Sequence, residues 1–322
     1  MISDVSKAGL VASVTGVLFL AAGFWAGLSL SRNERGVSAQ NAGAAEQAPT
    51  PGLSGGQAPA PGSSAGQAKP HPSFDGLRQA VQQLLQDAGA TGGVSIIELG
   101  GHSPRSWSYQ GDLQFVAAST YKLPLLMEDA QDVASGHVHG TDLLCYQDSD
   151  WEDGYYTDYQ DGVCLSRAQL GNRIGQESDN TAAHILVRYD GGGSSLNSFA
   201  RAHGARDSAF YDPNTTTSND LARLWASEAN GRAGGRQAQQ YLYPMLTHTA
   251  YEGGIPAGVP SKTTIVHKIG ILGGFVDDAA LIQRGPAGAY VLAICTEGQG
   301  GDAGWTVLAG ISRAVWQFEA TR

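Results

Sequence analysis

TIVHKIGILGGFVDDAALIQRGPAGAYVLAIC, residues 264–295, reads as three successive strands at 264–271, 275–282 and 289–295. A closing helix follows over 305–318. Upstream, Ser73 is a plausible N-cap for a helix whose Leu77, Val81, Leu84 and Leu85 fall on one face, and 93–99 and 106–109 read as strands. Helical periodicity returns over 119–133, 167–174 and 180–187. Strands at both ends with helices between them predict an α+β fold, in which one antiparallel sheet gathers distant segments around an inserted helical lobe.

Within the decisive stretch, Lys268 lies on a strand and is followed after Ile269 by Gly270, whose missing side chain permits close approach of a substrate backbone. Two further segments carry chemistry. In Ala118-Ser119-Thr120-Tyr121-Lys122, serine and lysine stand three apart at a predicted helix start, so hydroxyl and amine share a face. Desolvation and the positive end of the helix dipole push such a lysine toward its neutral form, able to take the serine proton. The second segment, Glu177-Ser178-Asp179-Asn180-Thr181, is a polar break between two helical stretches. Single triplets of this kind are common. Ser31-Arg32-Asn33 and Ser195-Leu196-Asn197 read as flank and loop, and Lys7-Ala8-Gly9 repeats the lysine-glycine spacing trivially.

Taken in order, these three segments resemble the class A β-lactamase and penicillin-binding-protein superfamily from about Ser73 to the C-terminus. Asn214-Thr215-Thr216-Thr217 is similar to the family's D-T-T-T, and Ile255-Pro256-Ala257-Gly258 and Tyr290-Val291-Leu292-Ala293 flank the lysine strand as expected. The resemblance implies a five-stranded antiparallel sheet flanked by helices, an all-helical lobe, and a site between them. By the same resemblance Ser119 is the nucleophile, Lys122 the acylation base and Ser178 the proton relay to the leaving group. Asn180 would hold Lys122 and substrate, and Lys268 would bias Ser178 and attract a carboxylate. The N–H groups of Ser119 and Ile271, beside Gly270, would form an oxyanion hole.

The chain departs from that family twice. Residues 195–211 contain no glutamate to activate a deacylating water, so fast β-lactam hydrolysis is not expected; Asp207 and Asp212 read as surface residues rather than substitutes. Ile269 stands where the family has a hydroxyl for the substrate's carboxylate, and isoleucine cannot donate that bond. The reading is an extracytoplasmic serine hydrolase, DD-peptidase-like or acting on a related amide or ester. Its alternatives are a class A β-lactamase with altered deacylation and a non-catalytic penicillin-binding or cell-wall-sensing module.

The rest of the chain bounds this reading. With 322 residues and a net charge of -10 there is room for one large domain or two small ones, and no basic cluster suits nucleic acid. The expected partner is a small molecule or peptide, such as a peptidoglycan stem peptide, bound by a monomer without cofactor or metal. From Gly9 to Leu30 no residue is charged, long enough to span a bilayer, so residues 1–35 read as a single-pass anchor and 36–72, rich in Ala, Gly, Pro, Gln and Ser, as a disordered linker. A cleaved signal peptide and secretion is the competing reading of that start. The hydrolase domain is then 73–322. Cys145 and Cys164 could pair if the domain lies outside the cytoplasm, while Cys295 reads as a buried strand thiol. The acidic aromatic run 148–159 reads as a solvated loop that could instead border the cleft. His184, His203 and His267 read as structural.

Overall fold

The computed structural model of the chain describes residues 73–100 and 104–322. The expected anchor and linker lie outside the described residues, and among the described residues no helix is long and apolar enough to cross a membrane.

Helix α1 (Phe74–Ala88) starts where Ser73 accepts a hydrogen bond from the Gly76 N–H and stops at Gly89, whose φ of 62° is the left-handed conformation glycine adopts without strain. Leu77, Val81 and Leu85, spaced by four, form its buried stripe. Strands β1 (Thr91–Glu98), β2 (Ser106–Tyr109) and the short β3 (Phe115–Val116) follow. The lobe comprises α2 (Lys122–Ser135), a hairpin of β4 (Leu143–Cys145) and β5 (Cys164–Ser166), then α3 (Arg167–Gln176), α4 (Asn180–Tyr189) and α5 (Gly192–Ala202). After β6 (Thr215–Thr216), which pairs with β3, come α6 (Ser218–Ala229) and α7 (Gly235–Leu242). The chain ends with β7 (Ile265–Leu272), β8 (Phe275–Gly285), β9 (Gly288–Glu297) and α8 (Gly301–Glu319).

The main sheet has the order β2-β1-β9-β8-β7, with every neighbouring pair antiparallel. The three strands at 264–295 therefore sit side by side as expected, and β1 closes on β9 from the far end of the chain. Both faces of the sheet are covered. On β9, Val291, Ala293 and Cys295 enter the core shared with the helical lobe, whereas Tyr290, Leu292 and Ile294 pack beneath α1 and α8. Burial on both faces explains why β8 and β9 read as continuous apolar runs rather than alternating ones. In the lobe α2 is the axial helix, buried all round from Lys122 to Ala130.

Two local expectations are corrected. Ser195-Leu196-Asn197, read as loop, belongs to α5: Leu196, Phe199 and Ala200 supply a buried stripe that outweighs the glycines at its start. Residues 118–121, read as the first turn of the long helix, form a separate 3-10 turn, and the α-helix begins only at Lys122. The open question about the cysteines is answered: Cys145 and Cys164 are bonded and tie β4 to β5, and Cys295 is a buried free thiol.

The disulfide closes a loop of 19 residues, for which loop-closure entropy gives a stabilisation of about 3 kcal/mol. A Cys145→Ser/Cys164→Ser double variant is expected to lose about 2 to 4 kcal/mol in urea unfolding monitored by circular dichroism. A midpoint unchanged from the parent would show that the hairpin contributes nothing to the cooperative unit.

Candidate active site

Three elements far apart in sequence converge where the edge strand β7 meets the 3-10 turn Ala118–Tyr121 and the loop entering α4. That approach depends on Gly270. A Cβ there would lie 2.7 Å from the Ala117 carbonyl oxygen and 3.0 Å from the Thr120 nitrogen. The sequence suggested room for substrate at Gly270; the room is filled by the protein's own backbone, which brings the Ser119 turn against the strand.

Lys122 is fully buried. Its Nζ lies 3.1 Å from Ser119 Oγ and donates to the Ser178 carbonyl at 2.7 Å and to Asn180 Oδ1 at 2.5 Å. Asn180 is oriented by its own Nδ2, which donates to the Asp153 carbonyl at 2.9 Å. An uncharged amine has two N–H bonds, and two acceptors that can only accept occupy both. Its lone pair is left for the Ser119 hydroxyl. Desolvation lowers the Lys122 pKa to about 8 against the opposing carboxylates of Glu152 and Asp179.

Ser178 sits between the two lysines, with Oγ accepting from Lys268 Nζ at 2.9 Å and 3.5 Å from Lys122 Nζ. Its backbone has φ of 60°, unusual for a residue with a side chain, and this conformation lets carbonyl and hydroxyl both face the lysines. The turn is held by Asp179. One of its carboxylate oxygens caps α4 through the Ala182 N–H at 2.8 Å and accepts from Tyr159 Oη at 2.7 Å; the other accepts from the Tyr156 N–H at 3.1 Å. Lys268 is buried on β7 and donates to the Ile269 carbonyl at 3.0 Å. Burial, then the neighbouring charge of Lys122, drives its pKa well below the ordinary lysine value.

All of the residues expected from the sequence thus meet in one place. Ser119 and Ile271 line a cavity of about 310 Å³ whose walls also include Tyr121, Glu152, Asn180, His184, Tyr211 and Asn214. Glu152 comes from the acidic aromatic run, so the run borders the cleft, contrary to its reading as a solvated loop. Trp151 and Tyr155 of the same run are exposed and do not line the cavity. His184, read as structural, faces the cavity as well. Neither residue stood out in the sequence, because no local spacing joins them to Ser119; tertiary contact alone does. Asp207 and Asp212 are exposed and line no part of this cavity. Ile269 is 4% exposed and offers no polar group. His267 is indeed structural: Nδ1 meets Asp278 at 3.0 Å and Nε2 meets Glu252 at 3.3 Å, and although burial opposes its charge, these carboxylates raise its pKa to about 9. Among the described residues no cluster of three or more His, Cys, Asp or Glu could hold a metal ion.

Comparison with known proteins agrees with this architecture. A family model described as a β-lactamase enzyme family matches residues 76–318. Among solved structures, PBP-A is 26% identical with a TM-score of 0.67, over 74% of this chain and 95% of that one. A variant of PBP-A, solved as an acyl-enzyme complex with penicillin G, is 26% identical with a TM-score of 0.70, over 78% and 98%. A β-lactamase from Sphaerobacter thermophilus DSM 20745 is 27% identical with a TM-score of 0.69, over 77% and 97%. No curated protein matches the chain. With the family model spanning most of the chain and the fold shared with these enzymes, the protein belongs to the β-lactamase enzyme family and is a serine hydrolase of the β-lactamase and penicillin-binding-protein type.

Proposed function

We propose that the protein is an extracytoplasmic acyl-transfer hydrolase, DD-peptidase-like or acting on a related amide or ester, that works through an acyl-enzyme on Ser119. The observation that carries this reading is the 3.1 Å approach of Ser119 Oγ to an amine whose two other hydrogen-bonding directions are already occupied. In acylation, Ser119 Oγ bonds to the substrate carbonyl carbon as its proton passes to Lys122. The oxyanion is received by the N–H groups of Ser119 and Ile271. The C–N or C–O bond to the leaving group then breaks, and the leaving group takes its proton through Ser178 Oγ, which Lys268 orients. Water later cleaves the ester.

Substrate class follows from what surrounds the nucleophile. Lys268 is pressed toward neutrality and Ile269 has no donor, while Ile271 and Leu272 expose apolar surface on the cavity wall. Such a lining favours a leaving group without a free carboxylate, and so an internal bond or ester over a terminal D-alanine. The Cys145–Cys164 disulfide supports an oxidising compartment, and the uncharged segment 9–30 supports attachment to the cell membrane, with the domain on the outer side near cell-wall peptide. The protein acts as a monomer on this reading.

Fluorophosphonate and fluorescent penicillin labelling, read by peptide mass spectrometry, is expected to modify Ser119. Ser119→Ala should abolish the adduct and lower ester turnover on the order of 10³-fold or more. A wild-type protein that no probe labels would sink the proposal.

Because Lys122 acts as a base only when uncharged, the acylation rate should rise with pH and level off above about 8. Stopped-flow acylation by a neutral nitrophenyl ester measures this, and a rate that falls across the same interval would exclude Lys122 as base. For the wall at Ile269, Ile269→Thr should speed acylation by penicillin roughly tenfold, since a hydrogen bond to a charged group contributes about 1.5 to 3 kcal/mol. The neutral ester should respond little; an equal gain for both substrates would argue against carboxylate discrimination at this position.

A further inference from the structure

The family relation leaves one chemical step without a residue: 195–211 contains no glutamate to activate the water that clears the acyl-enzyme, and its Asp207 and His203 line no part of the cavity beside Ser119. The cavity beside Ser119 nevertheless contains one carboxylate among its lining residues, Glu152. Its placement is not that of a free surface side chain. The Glu152 N–H donates to Thr181 Oγ1 at 3.1 Å, and the Thr181 hydroxyl donates back to the Glu152 carbonyl at 2.8 Å. The next carbonyl, Asp153, receives the Asn180 amide. Residues 152 and 153 are therefore pinned to the first turn of α4, the turn that also presents Ser178 and Asn180 to Lys122.

His184 aims the carboxylate. Its Nδ1 lies 3.1 Å from the Asp150 carbonyl, which can only accept, so the proton is on Nδ1; Nε2 lies 3.0 Å from Glu152 Oε2. The hydrogen bond from His184 keeps the Glu152 carboxyl below its ordinary range, against the desolvation of its site. Tyr211 closes the other side of the imidazole, edge to face at 5.6 Å. A second polar group waits in the same cavity. Asn214 Nδ2 donates to the Ala118 carbonyl at 2.8 Å, and this fixes its Oδ1 as a buried acceptor without a protein partner. A buried acceptor lining the same cavity as a carboxylate offers a water two hydrogen bonds to donate.

We infer that Glu152, aimed by His184, is the general base of deacylation, and that it activates a water held between its carboxylate and Asn214 Oδ1. The inference rests on the acyl-enzyme reading above. In the step, one water O–H bond breaks, its proton goes to Glu152, and the water oxygen bonds to the acyl carbon. The tetrahedral intermediate then loses its C–Oγ bond. The proton on Glu152 moves to the departing Ser119 oxygen by way of Lys122, which lies 3.1 Å from it. The products are free acid and free serine, with Glu152 again ionised and Lys122 again neutral. Glu152 is half exposed, so a fresh water can enter from solvent. The titratable groups facing it are His184, Lys122, Tyr121 and Tyr211.

Burst kinetics with 4-nitrophenyl acetate separates the two steps, and mass spectrometry of the quenched protein counts the acetylated fraction. In Glu152→Gln the burst should keep its amplitude and stay within about threefold of the parent rate, while the steady-state phase slows about 10² to 10⁴-fold, the usual contribution of a general base. Acetyl-Ser119 should then accumulate. If burial of the substitution weakens the fold, Glu152→Ala with added formate is the second measurement, and formate should restore deacylation without changing the burst. A Glu152→Gln protein that deacylates like the parent, or burst and steady state slowed alike with no response to formate in Glu152→Ala, overturns the inference and leaves the Ser119 reading standing. A wild-type protein with no burst and no acetylated Ser119 overturns the reading beneath it.

Discussion

Lys122 is an amine enclosed in protein, and the architecture around it is organised to make that tolerable. Its three neighbours come from three parts of the chain: the Ser119 turn, the Ser178 carbonyl and the Asn180 amide. A charged ammonium in such a place would carry a large desolvation cost, whereas a neutral amine needs only two acceptors and one donor. The same constraint recurs at Lys268, where burial and the proximity of Lys122 disfavour a second positive charge. Two lysines that cannot comfortably both be ionised, with a serine hydroxyl between them, make a short path along which a proton can be moved.

The surrounding packing serves this geometry. Gly270 admits the backbone at Ala117 and Thr120 against the sheet edge. Asp179 carries the cap of α4 and the hydroxyl of Tyr159 on one oxygen and the Tyr156 amide on the other, and so holds Ser178 in a backbone conformation it would rarely adopt alone. The sheet, sandwiched between two cores, provides a rigid wall, and the helical lobe provides the axial helix on which Lys122 stands.

Membership of the β-lactamase family sets the type of chemistry, while the walls of the cavity shape what can reach Ser119. The apolar strand end at Ile271 and Leu272 and the Glu152–His184 pair are features of the walls. They surround the serine-lysine core, and on one scaffold it is such surroundings that let different reactions be hosted.

Much of the fold was legible in the chain itself. The strands at 264–295, the capped helix at Ser73 and the order of the three motifs rest on local periodicity and on spacing, both of which are written along the backbone. Through the family they resemble, those same motifs name Ser119, Lys122, Ser178, Asn180 and Lys268. Three things were not legible: the pairing of Cys145 with Cys164, the helical state of residues 195–197, and the arrival of Glu152 and His184 at the cavity. Pairing and burial in those places depend on which segments meet across tens of residues, and no local pattern encodes that meeting. The sequence alone determined which groups could react; only tertiary packing decided which of them share a desolvated cavity, because proximity between distant segments comes from the way the cores close.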